Sequence, residues 1–358
     1  MKKTLLALAV LAASGASFAQ SSVTLFGIVD ATVAFGRGDV SNKTQLTNSG
    51  LNSSRLGFKG TEDLGGGMNA SFWLEAGMNN DDGTGSATNV NNQPVAAFNA
   101  TSGANAPVRA GTQGLTFNRR SIVSLGGGFG EVRLGRDYSA TFYNTSNYDA
   151  FGTNGVGTSI VAKAAWSMES TSLRTSNGIS YFLPGNLGGF GGQILYAMGE
   201  NASTAAKDGN TLQVRGSYDN GPISAGVAYG KTTRGASDSK VTNFGGSYDL
   251  GAAKLMGMYS QDKVGGLTGK GFNVGVTAPV GAGLIRATYG SYKTDAAGTP
   301  KTNQFALGYV HNLSKRTALY TTVARTSNSG GASAALNGAM TNVNGSSTGY
   351  DFGVRHSF

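Results

Sequence analysis

The sequence predicts an all-β protein, a closed antiparallel barrel of about sixteen strands that crosses a membrane. Apolar and polar residues alternate with period two along most of the chain, whereas helical periodicity is nearly absent. Only 6 of the 358 residues are proline, as expected of long paired strands that need every backbone donor. One strand face is almost free of charge, while the other holds small polar and charged residues that cannot fill a dry core. The apolar face should therefore meet lipid, and the polar face a water-filled lumen.

The first residues predict export. Lys2 and Lys3 precede the apolar run LLALAVLAA and the small-residue site Ser17-Phe18-Ala19, a pattern typical of a secretory signal peptide. We expect residues 1–19 to be removed and residues 20–358 to form one barrel domain. The net charge then falls from +9 to +7, because two lysines leave with the signal. The chain has no cysteine, so disulfides do not stabilise it.

The strands are expected in order along the mature chain. Residues 23–35, 54–63 and 68–78 alternate cleanly, and a polar connection at 80–113 follows. Residues 119–125 and 131–139 flank the tight turn GGGFG. A connection of about thirty residues comes next, at about 140–172, and alternation resumes at 174–182. Its aromatic and apolar residues predict that it packs against the inner wall of the barrel, since so long a structureless loop is uncommon.

Beyond residue 174, strand-like segments are separated by alternately very short and longer connections, of which DKVGGLTGK is one of the longer. This arrangement predicts short periplasmic turns and long extracellular loops. An even strand number brings both chain ends to the short-turn side, where the first strand must pair with the last because lipid tolerates no open edge. Tyrosines near strand ends predict interfacial girdles: Tyr181, Tyr196, Tyr218, Tyr229, Tyr248, Tyr259, Tyr289, Tyr309 and Tyr320.

Four segments resemble the general porins of Gram-negative bacteria, most closely the betaproteobacterial branch. They read QSSVTLFGIVDATVAFG, SSRLGFKGTEDLGGGMNASFWLE, NRRSIVSLGGGFGEVRLGRDYS and YDFGVRHSF. The resemblance implies a homotrimer of sixteen-stranded barrels in the outer membrane, whose third extracellular loop folds inward as an eyelet. The strand count places residues 140–172 at that loop.

The last strand alternates to a terminal aromatic residue, with Tyr350, Phe352 and Phe358 on one face. In the family that this sequence resembles, the terminal phenylalanine is part of the signal read by the barrel-assembly machinery. The resemblance therefore implies that machinery as a partner, together with outer-membrane lipid and lipopolysaccharide.

The candidate pore residues follow from height and strand parity. Parity points Arg55 and Arg174 inward, and one of Arg119 and Arg120 should face the lumen. Parity points Arg136 outward unless a bulge or the departing loop turns it in. The expected opposing acids, on or beside the loop, are Asp137, Asp149 and Glu169. The arginines outnumber the acids, so the eyelet should favour small anionic solutes; alternatively, any one arginine is an interior salt bridge between loop and wall.

The sequence supports other functions less well. A phosphate-specific channel should show a ladder of arginines and a sugar channel an aromatic slide, whereas the sequence shows a cluster. An outer-membrane enzyme lacks candidates, because His311 and His356 are the only histidines and both fall at short-turn ends, and no cofactor is expected. Dispersed basic residues argue against nucleic acid. The connection at 80–113 either leans over a neighbouring subunit or is a surface loop.

Overall fold

The computed structural model describes residues 22–86, 88, 92, 112–201, 207–235 and 237–358. The proposed signal peptide at 1–19 lies outside the described residues, as does most of the connection at 80–113, so the expectations for both stay predictions.

Nearly all of the described chain is β-structure. The strands are β1 Ser22–Gly38, β2 Lys43–Asn48, β3 Arg55–Gly65, β4 Met68–Asn79, β5 Thr84–Ser86, β6 Thr112–Gln113, β7 Arg120–Gly127, β8 Gly130–Tyr138, β9 Arg174–Phe182, β10 Phe190–Ala197, β11 Thr211–Asn220, β12 Ile223–Thr232, β13 Ser239–Asp249, β14 Lys254–Val264, β15 Leu267–Val280, β16 Gly283–Thr294, β17 Lys301–Asn312, β18 Thr317–Ser329 and β19 Ser346–Ser357. Helices α1 Ala140–Asn147 and α2 Ile160–Met168 and a 3-10 turn at Ser170–Ser172 follow β8. None of the helices described is long and apolar enough to cross a bilayer.

These strands close into one antiparallel barrel, because β1 pairs with β19 as well as with β2 and β3. β2 and β3 cover successive halves of β1 and so act as one interrupted wall strand. The short strands β5 and β6 pair with each other beyond the rim. The wall therefore has sixteen strands, as the sequence predicted.

The two faces of the wall differ as the alternation predicted. In β11, Leu212 and Val214 are exposed on the outside, whereas Gln213 between them is 2% exposed on the inside. The same alternation recurs in β17, where Phe305 and Leu307 are exposed and Ala306 is buried. An apolar outer surface of this kind suits the hydrocarbon layer of a membrane.

One connection differs from the expectation. Residues around DKVGGLTGK were expected to form a longer loop, but β14 and β15 remain paired up to Val264 and Leu267. Only Gly265 and Gly266 turn the chain, both with positive φ, as a two-residue hairpin requires. The two strands therefore extend beyond the wall where the sequence predicted an irregular loop.

Residues 140–172 fold into the lumen, which confirms the expected inward loop. The connection is not structureless, however. Ser139 and Ser159 cap α1 and α2 by accepting hydrogen bonds of 3.2 Å from Phe142 N and Ala162 N. The sequence analysis missed both helices because they are short and largely buried, so they lack a clear amphipathic pattern.

Wall residues of the far side hold this inserted loop in place. α1 packs mainly on β11 to β13, and α2 on β14 to β17. Gln304 donates to Thr158 O at 2.7 Å and Asn273 donates to Tyr148 O at 2.9 Å. The loop tip reaches the break between β2 and β3, where Gly155 has φ +66° and a Cβ would lie 2.2 Å from Gly50 O. The inserted loop thus follows the inner wall for most of its circumference.

Candidate functional site

The inserted loop leaves one side of the lumen uncovered by its helices, and arginines concentrate there. On or beside β3, β7, β8 and β9 lie five of them, which we call the arginine wall: Arg55, Arg119, Arg120, Arg133 and Arg174. Because β4 pairs with both β3 and β7, these residues belong to a continuous stretch of the barrel.

Glu75, on β4, joins the upper part of the arginine wall. Its Oε1 accepts a hydrogen bond from Arg55 Nη1 at 3.3 Å and another from Arg119 Nε. Its Oε2 accepts from Trp73 Nε1 at 3.1 Å. One carboxylate thereby holds two guanidinium groups that would otherwise repel each other.

Asp137, at the root of the inserted loop, joins the next two arginines. Arg120 Nε donates to its Oδ1 at 2.7 Å and Arg133 Nη1 to its Oδ2 at 3.0 Å. Arg133 also binds Glu131 through two hydrogen bonds of 2.9 and 2.8 Å. Such two-pronged pairs fix the plane of a guanidinium group.

Aromatic side chains also contact the guanidinium groups of the arginine wall. The Arg174 guanidinium lies 4.5 Å from the centroid of the Tyr138 ring, and its Nε donates to Arg119 O at 2.9 Å. Arg120 lies 4.6 Å from the Trp73 ring. Arg119 Nη2 donates to the hydroxyl of Tyr138 at 2.8 Å. These contacts leave the guanidinium groups little freedom to rearrange.

The exposed fractions of the charged side chains determine the electrostatic character of the arginine wall. The four arginine side chains that bind Glu75 and Asp137 are 11–21% exposed, whereas both carboxylates are 4% exposed. The acids therefore lie behind a layer of guanidinium groups. The five arginines of the wall and the three described carboxylates that bind it, including Glu131, together carry a net charge of +2.

Arg119 and Arg120 both reach the inner carboxylates, although the sequence predicted only one of them in the lumen. Strand β7 begins at Arg120, so Arg119 precedes the strand and is not bound by its alternation. Arg55 lies inward on Glu75, as parity predicted. Arg174 also lies inward, on Tyr138, but a bulge in β9 between Thr175 and Gly178 separates it from the rest of the strand, so simple parity does not account for its position.

Arg136 does not join the arginine wall. It alternates with Asp137 along β8 and donates to Asn118 O at 2.6 Å and to Ser176 Oγ at 2.8 Å. A bulge does occur beside it, but three residues of β9 there span two of β8, so the extra residue belongs to β9. The side chain of Arg136 therefore points outward, as strand parity predicted.

The loop acids Asp149 and Glu169 have other partners than the sequence analysis expected. Asp149 is buried and accepts from the backbone N–H groups of Phe151 and Ser159, both at 3.0 Å. Burial raises its pKa, and the two backbone donors lower it in part. Glu169 binds Arg234, with Nε to Oε2 at 3.2 Å, and caps the 3-10 turn. Both acids stabilise the loop rather than face the arginine wall.

The sequence analysis did not select Glu75 and Arg133 as pore residues. Both lay on the predicted inner face, but neither looked distinctive in sequence. Two features of the sequence could have identified these residues. The pairing register of β4 and β7 places Glu75 directly opposite Arg120. The spacing within β8 places Arg133 four residues before Asp137, on the same face of the strand. Aligning β4 with β7 before choosing residues would have found Glu75.

A closed barrel with an apolar outer face, a polar lumen, an inserted loop and fixed charges beside it defines a transmembrane channel of the porin class. The sequence family described as Gram-negative porin matches residues 4–331, and the chain belongs to that family. It is an outer-membrane porin, through which small hydrophilic solutes diffuse. Proteins of this family are channels.

Individual relatives agree with this assignment. The chain is 41% identical to outer membrane porin protein 32 of Delftia acidovorans over the full length of both. It is 30% identical to an outer membrane porin protein of Bordetella pertussis, over 89% of this chain and 93% of that one. Its fold matches a solved anion-selective porin from Comamonas acidovorans with a TM-score of 0.80 and 38% identity, over 95% of this chain and all of the other. OmpT of Vibrio cholerae, at 13% identity and a TM-score of 0.63 over 94% of this chain and 98% of the other, shares the fold.

Proposed function

We propose that this porin favours small anions, with the inserted loop at 140–172 as the constriction and the arginine wall as the selectivity element. The observation that carries the proposal is the layering of charge, with buried Glu75 and Asp137 behind more exposed guanidinium groups. A few fixed charges at a narrow point between low-dielectric walls outweigh many charges at the rims.

The similarity to the anion-selective porin of Comamonas acidovorans supports the same sign of selectivity. Arg215 lies on the side of the lumen that the inserted loop covers, and its positive charge also favours anions. Its Nε donates to Asn144 Oδ1 at 2.8 Å and its Nη1 to Ser217 Oγ at 3.2 Å, so its hydrogen bonds leave its charge uncompensated. A solute that passes between the loop and the arginine wall would meet positive charge on both sides.

The remaining family expectations belong to the same proposal: removal of residues 1–19, insertion by the barrel-assembly machinery and a homotrimeric assembly. Family membership supports the trimer. Mass measurement of the protein extracted in mild detergent tests it, because a monomer would disagree.

The selectivity experiment is a reversal-potential measurement in a potassium chloride gradient across a planar bilayer. The wild-type channel should give the sign of chloride permeation. The double variant Arg55→Gln with Arg174→Gln should shift the potential towards zero, because it removes two wall charges. Arg316→Gln with Arg325→Gln removes the same charge from exposed positions and should leave the potential nearly unchanged.

Cation preference in the wild-type channel would contradict the proposal, as would equal shifts in the two double variants. A chloride-current measurement in the same planar bilayer distinguishes a general diffusion pore from a phosphate-specific channel. Chloride current through a diffusion pore should persist when millimolar phosphate is added, whereas a phosphate-specific site would be occupied and the chloride current would fall.

A further inference from the structure

A cavity of about 430 Å³ opens beside the inserted loop, and we call it the side cavity. It lies between α2, the ends of β16, β17 and β18, and residues of the segment 332–337, which belongs to the connection from β18 to β19. These strand ends are extracellular, because Ser22 and Ser357, at the ends of the described barrel, lie on the short-turn side. At least two wall strands separate the side cavity from the arginine wall in either direction around the barrel.

Much of the lining of the side cavity is apolar. Trp166 and Tyr292 contribute aromatic rings, and Pro300 and Leu336 contribute aliphatic surface. Small side chains border these groups, namely Ala164, Ala332, Ala334 and Ala335. Rings bordered by small residues leave room for a flat apolar body, which is stabilised when it leaves water and packs against other rings.

Lys163, on α2, is the one charged residue among the described residues that line the side cavity. Its Nζ donates to Val156 O at 3.1 Å and to Gln304 Oε1 at 3.3 Å, and it forms no ion pair within the described part of the chain. An ammonium group carries three N–H donors, so one is left for a ligand. A partly buried ammonium group without an anionic partner is costly, and a bound carboxylate would lower that cost.

Two acids, Asp149 and Asp351, lie near Lys163 and interact with it through space. Neither of them lines the side cavity. Each accepts two hydrogen bonds from other groups, Asp149 within the inserted loop and Asp351 from Val156 N and Asn337 Nδ2. These acids reduce the positive potential at Lys163, but they leave its remaining donor free.

Two further lining residues carry a polar group without a hydrogen-bond partner. The indole Nε1 of Trp166 and the hydroxyl of Thr294 are buried, and neither has a partner among the described residues. Both atoms are shielded by their surroundings, so their side chains must turn to reach a ligand, and the ammonium group of Lys163 is the primary contact. Unused donors on three lining residues favour a ligand that supplies acceptor oxygens, as a carboxylate does.

We propose that the side cavity binds an aromatic monocarboxylate, with the carboxylate on the ammonium group of Lys163 and the ring against Trp166 and Tyr292. A small dicarboxylate lacks the ring, and its second charge meets no second cation among the described lining residues. An uncharged aromatic solute lacks the ion pair. The bound solute contacts both the inserted loop and the connection from β18 to β19, so it ties these two loops together. The site is separate from the arginine wall and does not depend on the proposed anion selectivity.

The test measures binding of 2-naphthoate to the assembled protein in non-ionic detergent by equilibrium dialysis, with protein-free detergent as the blank. Dialysis at about pH 6.5 keeps the ammonium group of Lys163, whose pKa is about 8, charged. Lys163→Met should bind 2-naphthoate at least about tenfold more weakly, because it removes a charge-assisted hydrogen bond. Lys59→Met removes a lysine beside Trp73, outside the side cavity, and should change the affinity less than about twofold.

Two ligand controls identify the chemistry. The uncharged analogue 2-naphthylmethanol should bind the wild-type protein about as weakly as 2-naphthoate binds Lys163→Met, and Lys163→Met should not weaken it further. Succinate at the concentration of the bound 2-naphthoate should displace little of it. Equal wild-type affinities for the two naphthalene ligands, complete displacement by succinate, or wild-type 2-naphthoate binding in Lys163→Met would overturn the proposal.

A second variant tests the cavity itself and serves if Lys163→Met does not assemble, while open channels in a planar bilayer show that each variant has assembled. Ala335→Phe places a ring in the side cavity and should abolish the binding of both naphthalene ligands. Ala297→Phe, at an exposed position between β16 and β17, is the matched control and should bind like the wild type.

Wild-type binding in Ala335→Phe would contradict the proposal. Loss of 2-naphthoate binding in Arg55→Gln with Arg174→Gln, together with wild-type binding in Ala335→Phe, would place the ligand on the arginine wall instead.

Discussion

Asp351, on the last strand, accepts a hydrogen bond of 2.7 Å at Oδ2 from the backbone N–H of Val156, at the tip of the inserted loop. Its Oδ1 accepts from Asn337 Nδ2 at 2.8 Å. The tip is also bound by Ser53, whose hydroxyl donates to Asn154 Oδ1 at 2.8 Å. The inserted loop leaves the wall after β8 and is fastened near β19 and β1, so both its root and its tip are fixed.

Asp351→Ala should loosen the loop tip without unfolding the barrel. The substitution leaves the buried N–H of Val156 without its acceptor, at a cost of about 1–3 kcal/mol. We expect larger open-channel current noise and more frequent partial closures in single-channel recordings. Asp249→Ala, at an exposed position near a short turn, is the matched control and should record like the wild type. Quiet Asp351→Ala channels would show that the tip is held by its other contacts.

Glu75→Gln should strengthen the preference for anions. The carboxamide keeps the acceptor oxygen for Arg55 and Arg119, while the net charge of the arginine wall rises by one. One charge at about 4 Å in water contributes about 1 kcal/mol, so the chloride-to-potassium permeability ratio should rise by at most about fivefold. Glu62→Gln, on an exposed position of β3, should change the ratio much less. An unchanged or reduced ratio in Glu75→Gln would argue against the arginine wall as the selectivity element.

The barrel could be predicted from sequence because one short-range pattern, the alternation of polar and apolar residues, recurs in every strand. Alternation fixes which face each residue takes, and lipid outside with water inside requires that alternation in every strand. Arg55 was placed by this argument alone, whereas a bulge in β9 separates Arg174 from the alternation of its strand. Arg119 was not, because the rule applies only within a strand and β7 begins one residue later in the chain.

The partners of the charged groups depend on contacts between distant segments, which a single sequence does not show. Asp149 looked like a pore acid, yet it closes a turn within the inserted loop. Glu169 binds Arg234, which is 65 residues away and lies between β12 and β13. Predicting these pairs would require the path of the loop through the lumen.

The anion preference should depend on pH through Lys163, on α2. Burial lowers the pKa of its amine from 10.5 to about 8, an effect that nearby Asp149 and Asp351 partly offset. Its Nζ donates to Val156 O at 3.1 Å and Gln304 Oε1 at 3.3 Å. Because a lysine is neutral above its pKa, the lumen loses a positive charge as the pH rises through about 8.

Reversal potentials measured between about pH 7 and pH 9 should therefore move towards zero as the pH rises, with a midpoint near the pKa of Lys163. Lys163→Met keeps the apolar stem and removes the amine, so its reversal potential should be nearly constant over the same range. A pH response that persists in Lys163→Met would assign the titration to another group.

The terminal aromatic residues give the last prediction. Phe358, Phe352 and Tyr350 lie on the outer face, and Phe358 exchanges two backbone hydrogen bonds of 3.1 Å with Gly27. The Phe358 ring covers Gly27 so closely that a Cβ there would lie 2.3 Å from it. The ring thus completes the seam between β1 and the end of β19 and remains 43% exposed, as the proposed recognition by the assembly machinery requires.

Phe358→Ala should lower the amount of assembled protein in the outer membrane severalfold, because it removes the terminal aromatic group while leaving the backbone pairing with Gly27 intact. Phe129→Ala, an exposed aromatic residue at a short turn, should assemble like the wild type. Refolding of both purified variants into detergent separates the two roles of the ring. If Phe358→Ala refolds normally but fails to assemble in cells, the ring acts as a recognition signal; if it fails in both, its contribution is to closing the seam.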